Sequence, residues 1–167
     1  MKPVSALLRV TALAVAFAVA GTGAAEEKDK AFEPLGFEVL ASFHYAVPGF
    51  DAPADAAAAQ AKGQIPESVR KLDAKSIAIT GFMLPTKFKD GKVTEFLLMK
   101  DQSACCFGAM PRINEWIIVR MGQGGIPPLM DIPLTLGGKL KVGELYEEGY
   151  LSAIYQLDGE KLLKVSE

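Results

Sequence analysis

Short apolar segments, most of them alternating between hydrophobic and polar residues, dominate the chain after residue 75. Alternation with a period of two is typical of a half-buried strand. Asp90-Gly91, Gly137-Gly138 and Asp158-Gly159 separate such segments and are typical of tight hairpin turns. The pattern therefore predicts strands over Ser76–Phe82, Val93–Met99, Glu115–Met121, Met130–Leu136, Lys139–Val142, Leu151–Leu157 and Lys161–Val165.

The chain before residue 75 is less regular. Phe32–Tyr45 is rich in apolar residues, and its spacing fits a strand and a short helical turn equally well. Ala54–Ala61 has no hydrophobic face, which indicates a surface loop with at most one loose helical turn. Pro66 suits the first position of a helix and Glu67 suits its positive end, so we predict a short helix over 66–72.

Residues 1–25 have the three-part layout of a secretory signal peptide. Lys2 and Arg9 provide a positive start, Val10–Ala20 is an apolar run, and small residues follow as far as Ala25. The apolar run is too short to cross a bilayer, and no later apolar segment is long enough. We therefore predict export to the periplasm, cleavage after about Ala25, and no membrane span in the mature protein.

The domain organisation follows from these segments. We predict a signal peptide over 1–25, an N-terminal arm with an Ala/Pro-rich loop over 26–64, and a β domain over 65–167. Short strands joined by tight turns indicate a mostly β fold, either a small barrel or a sandwich, with one short helix.

The charge of the chain limits its partners. The formal net charge is −2, and loss of Lys2 and Arg9 with the signal peptide makes the mature protein more acidic. Nucleic acids and anionic lipid surfaces require a basic footprint on their binding proteins. We therefore predict no nucleic-acid partner.

The adjacent pair Cys105 and Cys106 contains both cysteines of the chain. An oxidising compartment favours disulfides, but neighbouring α-carbons lie about 3.8 Å apart, closer than the roughly 4.4–6.8 Å of an unstrained disulfide. Four alternatives stay open: a strained disulfide within the pair, a disulfide to a partner, a soft-metal site, or two packed thiols. The frequent burial of cysteine favours packing, whereas thiolate and thioether ligands select Cu(I) and imidazole suits zinc or copper.

Few other residues could complete such a metal site. His44 is the only histidine, and its apolar neighbours are typical of a hydrogen-bonded residue in the core or at its rim. The methionines have no regular spacing, which favours core packing. The candidate metal ligands are Cys105, Cys106, Met110 and His44, with Met83 and Met99 as further thioethers.

The cysteines lie in a predicted loop over Lys100–Asn114. Asn114 ends this loop and Trp116 follows it. We expect Asn114 to fix the loop through its side-chain amide. We expect Trp116, the only tryptophan, to be a core anchor whose indole N–H has one hydrogen-bond partner. The alternative is that both residues form a recognition rim around a pocket.

Several sequence strings resemble one protein family: GFMLP at 81–85, FLLMKDQSACCFG at 96–108 and NEWIIV at 114–119, followed by closing GKLKVGE and IYQLD segments. The family is domain of unknown function 3299, found in exported bacterial proteins, and the resemblance covers roughly residues 35–165. It implies an OB-like β-barrel in a secreted or periplasmic protein, no known activity, and a partner among envelope proteins or transporter components. Proteins of the family have one cysteine followed by a histidine and a proline-rich stretch where this chain has Cys105, Cys106, Phe107 and Gly108. The neighbouring histidine is missing here, so a metal role of the family's Cys-His pair is not carried over to this chain.

Three functions remain open from the sequence. The first is an exported accessory protein of the cell envelope that binds a soft metal, copper or zinc, or a small ligand at Cys105 and Cys106. The second is a thiol-redox or redox-responsive protein that switches through the same pair. The third is a partner-binding structural module in which the cysteines only pack. No motif for catalytic residues is present in the sequence, so an enzyme is the less favoured class.

Overall fold

The computed structural model describes residues 31–49, 54–103, 108 and 110–166. Six strands and three short helices make up the regular structure of these residues. The strands are β1 (Glu33–Leu35), β2 (Ser76–Lys89), β3 (Lys92–Met99), β4 (Trp116–Met121), β5 (Pro133–Glu147) and β6 (Tyr150–Val165). The helices are α1 (Phe37–Leu40), α2 (Ala54–Ala61) and α3 (Glu67–Arg70), and a 3-10 helix over Ile113–Glu115 precedes β4.

The six strands form one sheet in the order β1-β2-β3-β4-β6-β5. An additional antiparallel pairing joins β2 to β5, with Ile79 opposite Leu136, so the five strands β2 to β6 close into a ring. Strand β4 pairs with β6 in parallel and β1 pairs with β2 in parallel, while the other pairs are antiparallel. The prediction of a mostly β fold is confirmed.

The hydrophobic core is built from the inward-facing residues of the ring. Phe96, Leu136 and Tyr155 are fully buried there. Residues from the segment predicted as an N-terminal arm belong to the same core, among them Leu40, which has no exposed surface. The buried hydroxyl of Tyr155 donates a hydrogen bond of 2.9 Å to the carbonyl of Leu40, which fixes α1 against the sheet.

Two predicted turns are wrong, because β5 and β6 run through Gly137-Gly138 and Asp158-Gly159 without a break. The glycines are required by close approach between strands. A Cβ on Gly138 would lie 2.5 Å from the carbonyl oxygen of Asp158, and one on Gly159 would lie 2.5 Å from the sulfur of Met121. The real hairpin turn is at Glu148-Gly149, where both residues have positive φ, of 52° and 88°.

Other local predictions agree better with the structure. The turn at Asp90-Gly91 joins β2 to β3 and the predicted strand Val93–Met99 is confirmed. Strand β2 is longer than predicted, since it continues past Pro85 through an irregularity in its pairing with β3. The predicted helix over 66–72 is present as the single turn α3. The prediction of one short helix is corrected, since α1, α2 and α3 are all present in the described part of the chain. Within residues 31–49, 54–103, 108 and 110–166, no helix is long and apolar enough to cross a membrane.

Candidate functional site

The candidate metal ligands fall into three groups. Cys105 and Cys106 lie outside the described residues. Met110 is 92% exposed and His44 is exposed, so both side chains are accessible to a ligand. Met83 and Met99 are buried, which confirms the expectation of core packing for these two methionines.

The two ends of the β3–β4 connection, which contains the cysteines, are held together at the sheet. The backbone N–H of Lys100 donates to the carbonyl of Glu115 at 2.9 Å. The ammonium of the same lysine lies 3.1 Å from the Glu115 carboxylate. The connection therefore leaves and re-enters the sheet at one fixed position.

Lys100 and the residues 112–116, which hold the two ends together, form the base of the connection, and Glu115 is at its centre. Arg112 donates its backbone N–H to one carboxylate oxygen of Glu115 at 2.9 Å and its guanidinium to the other at 2.8 Å. Hydrogen bonds from Arg112, opposed by burial and supported by Lys100, lower the pKa of Glu115 to about 2. Sequence reasoning missed this role, although the spacing of three residues between Arg112 and Glu115 is that of a helix-start capping pair.

Asn114 joins this base to the N-terminal part of the chain. Its side chain is fully buried, and its amide donates a hydrogen bond of 2.7 Å to the carbonyl of Phe43. The predicted fixing role of Asn114 is thereby confirmed, with Phe43 as the partner. Because Phe43 precedes His44, the bond holds the backbone beside the only histidine at the end of the cysteine connection.

Two buried polar atoms of the same base have no hydrogen-bond partner among the residues that the structure describes: Oδ1 of Asn114 and the indole Nε1 of Trp116. The prediction that the Trp116 N–H has a partner is therefore wrong. An unsatisfied buried polar group costs about 1–3 kcal/mol. The base thus combines a paired charge network with an unused acceptor and an unused donor.

The other end of the connection is also ordered by hydrogen bonds. Asp101 accepts from the backbone N–H of Ser103 at 3.0 Å and from its hydroxyl, and these bonds lower the pKa of the Asp101 carboxyl. Gln102 donates to Asp131 at 3.1 Å, on the segment that leads into β5. Among the described parts of the chain, no cluster of three or more His, Cys, Asp and Glu side chains could hold a metal ion.

The fold and this site define a small β-rich domain with a cysteine-containing connection anchored on a ring of strands. The chain belongs to the family described as protein of unknown function DUF3299, whose model matches residues 38–164. The resemblance noted in the sequence is thereby confirmed.

One solved structure in the same family has a similar fold: a DUF3299 family protein from Pseudomonas aeruginosa PAO1. The two proteins share 24% sequence identity with a TM-score of 0.53, over 81% of this chain and 95% of the other. No curated protein matched the chain.

Proposed function

We propose that this protein is an exported accessory protein of the cell envelope that binds a soft metal ion, Cu(I) or Zn(II), at the Cys105–Cys106 connection. The two thiolates are the primary ligands, and Met110 supplies a thioether or His44 an imidazole as a further ligand. Thiolate and thioether donors select Cu(I), while imidazole also suits zinc.

The observation that carries the proposal is the anchored base of the connection. Binding loops function best when a rigid scaffold holds their ends. The Lys100–Glu115 contacts fix the two ends, and the Asn114–Phe43 hydrogen bond brings the segment of His44 to the same place. Met110 and His44 are exposed on these segments and are accessible to an ion.

The fold and cellular context of the proposal follow the same reasoning. The ring is an OB-like barrel, which its five strands and the β2–β5 closure support. The layout of residues 1–25 supports export by a signal peptide cleaved after about Ala25. A partner in the envelope, such as a transporter component, would deliver or receive the ion.

The experiment is a titration of the purified protein with Cu(I) and with Zn(II) against a chromophoric chelator. The double variant Cys105→Ser/Cys106→Ser is expected to bind the ion more than about 100-fold more weakly, beyond what the loss of outer-shell partners costs. Wild-type affinity in this variant would contradict the proposal. A thiol count before and after mild reductant accompanies the titration, and a disulfide that re-forms and excludes the ion would favour the redox alternative.

A matched pair of methionine variants tests the third ligand. Met110 and Met130 are both exposed, at 92% and 59%, but only Met110 lies in the cysteine connection. Met110→Leu is expected to weaken Cu(I) binding more than Zn(II) binding, because a thioether is a soft ligand. Met130→Leu is the control and should leave both affinities unchanged. Equal effects of the two variants would exclude Met110 as a ligand.

A further inference from the structure

A second candidate site lies away from the cysteine connection, in a pocket of about 360 Å³. The pocket is bounded on one side by α3 and the turn before it, which contribute Lys62, Ile65 and Arg70. On the other side it is bounded by Val142, Glu144 and Tyr146 of β5. Its volume is at the lower end of the range typical of small-molecule sites, about 300–1,000 Å³.

A β-bulge shapes the wall formed by β5. Val142 is opposite Tyr155 and Leu145 is opposite Ala153, so two residues of β5, Gly143 and Glu144, face only one residue of β6. The alternation of buried and exposed residues is lost here, and positions 142–146 are all half-buried. Bulges often redirect side chains next to functional sites, and this one lines the pocket with both Glu144 and Tyr146.

The polar groups of this wall are not satisfied by the protein. The Tyr146 hydroxyl is buried and has no hydrogen-bond partner in the described part of the chain. Glu144 accepts one long hydrogen bond, of 3.5 Å, from the hydroxyl of the buried Tyr45. Burial and then the charge of Glu144 raise the pKa of Tyr146, so its hydroxyl keeps its proton at neutral pH and is available as a donor.

The charges around the pocket have two signs. Glu144 has no cationic partner among the described residues. On the facing side, Arg70 has only a loose contact of 3.7 Å with Glu67, and both side chains are more than half exposed, at 52% and 70%. Such surface pairs contribute little and are easily exchanged. Lys62 adds a second positive charge to this rim.

We propose that this pocket binds a small zwitterion of the amino-acid class, with its ammonium on Glu144 and its carboxylate between the Tyr146 hydroxyl and the cations Arg70 and Lys62. A carboxylate wall opposite a cationic rim matches a ligand that carries both charges. Tyr146 gains the hydrogen-bond acceptor that the described residues do not provide. A simple amine or a simple carboxylate would satisfy only one side of the pocket.

The test is isothermal titration calorimetry of the full-length protein with glycine, β-alanine and glycylglycine as probes, and with propylamine and propionate as single-charge controls. At least one zwitterion is expected to bind about tenfold or more tightly than both controls, a difference of about 1.4 kcal/mol. The proposal is overturned if no zwitterion binds, or if an amine or a carboxylate alone binds equally well.

Variants then assign the binding to the pocket. Glu144→Gln and Tyr146→Phe are each expected to weaken the zwitterion about tenfold, whereas Glu148→Gln, an exposed acid at the adjacent turn, should not change the affinity. Tyr146→Phe removes a hydroxyl that has no partner among the described residues, so folding should be retained even if Glu144→Gln is less stable. Unchanged affinity in Tyr146→Phe with intact folding would place the ligand elsewhere.

Discussion

Glu115 and Glu144 are two partly buried carboxylates that the fold treats differently. Glu115, at the base of the cysteine connection, accepts from the backbone and the guanidinium of Arg112 and from Lys100. Glu144, in the bulge of β5, has one long hydrogen bond from Tyr45 and no cation among the described residues. The Glu115 carboxylate therefore holds two parts of the chain together. The Glu144 carboxylate has few hydrogen-bond partners among the described residues and could accept more.

The number of hydrogen-bond partners determines whether a partly buried carboxylate can stabilise the fold or bind a ligand. A carboxylate whose oxygens are already bonded contributes to stability and has little left for a ligand. A carboxylate that is half-buried with few partners costs desolvation energy, and this cost is recovered when a ligand supplies the missing donors. Stability measurements and binding measurements should therefore rank the two residues in opposite order.

The largest expected effect is on unfolding. Glu115→Gln should lower the free energy of unfolding by about 2 kcal/mol, because it removes charge-assisted hydrogen bonds. Glu144→Gln should change it by less than about 0.5 kcal/mol, the usual range for a site with few partners. Urea denaturation of the two variants beside wild type measures both values. Equal losses in the two variants would show that the contrast has no energetic basis.

Protonation of Glu115 should account for part of the loss of folding stability at low pH. Its pKa in the folded protein is about 2, below its ordinary value of 4.5, so the unfolded chain takes up the proton first as the pH falls. The stabilisation is therefore complete above about pH 5 and is lost as the pH falls towards 2. Over this window, Glu115→Gln should lose about 1.5 kcal/mol less stability than wild type. Parallel curves for the two proteins would refute the role of Glu115, since Glu95 and Asp101, whose pKa values are also lowered, contribute equally to both.

The smallest expected effect compares two tyrosine hydroxyls. Tyr155 donates to the carbonyl of Leu40, so Tyr155→Phe should cost about 1 kcal/mol of stability. The Tyr146 hydroxyl has no hydrogen-bond partner within the described residues, so Tyr146→Phe should be neutral or slightly stabilising. Thermal unfolding measures both. A clear loss of stability in Tyr146→Phe would mean that its hydroxyl is already used within the protein.

The sequence predicted the local elements of this fold better than its connections. Period-two alternation correctly indicated the strands Val93–Met99 and, within one residue, Glu115–Met121. The glycines at 137, 138 and 159 were wrongly predicted to form turns. The sequence alone does not distinguish a glycine required by close strand packing from a glycine in a turn. The true turn at Glu148-Gly149 was missed because its first residue is an acid in a left-handed conformation.

The candidate sites were predictable only where their residues are neighbours in sequence. Asn114 follows the cysteine pair closely in the chain, so its role in fixing that connection could be inferred. The contact between Tyr45 and Glu144 joins residues 99 positions apart and depends on a bulge. No periodicity in the sequence encodes which half-buried residues such a bulge turns towards a cavity.

The closure of the ring also determines which strand edges this domain exposes. Unpaired strand edges are templates for aggregation between copies of a chain. The pairing of β2 with β5 gives each of the five ring strands a neighbour on both sides along part of its length. The strand at the end of the sheet is β1, which is only three residues long and contains Pro34. A proline in a short edge strand withholds a hydrogen-bond donor from any incoming strand. The ring and the short β1 together leave few open strand edges to which another copy of this β-rich chain could add a strand.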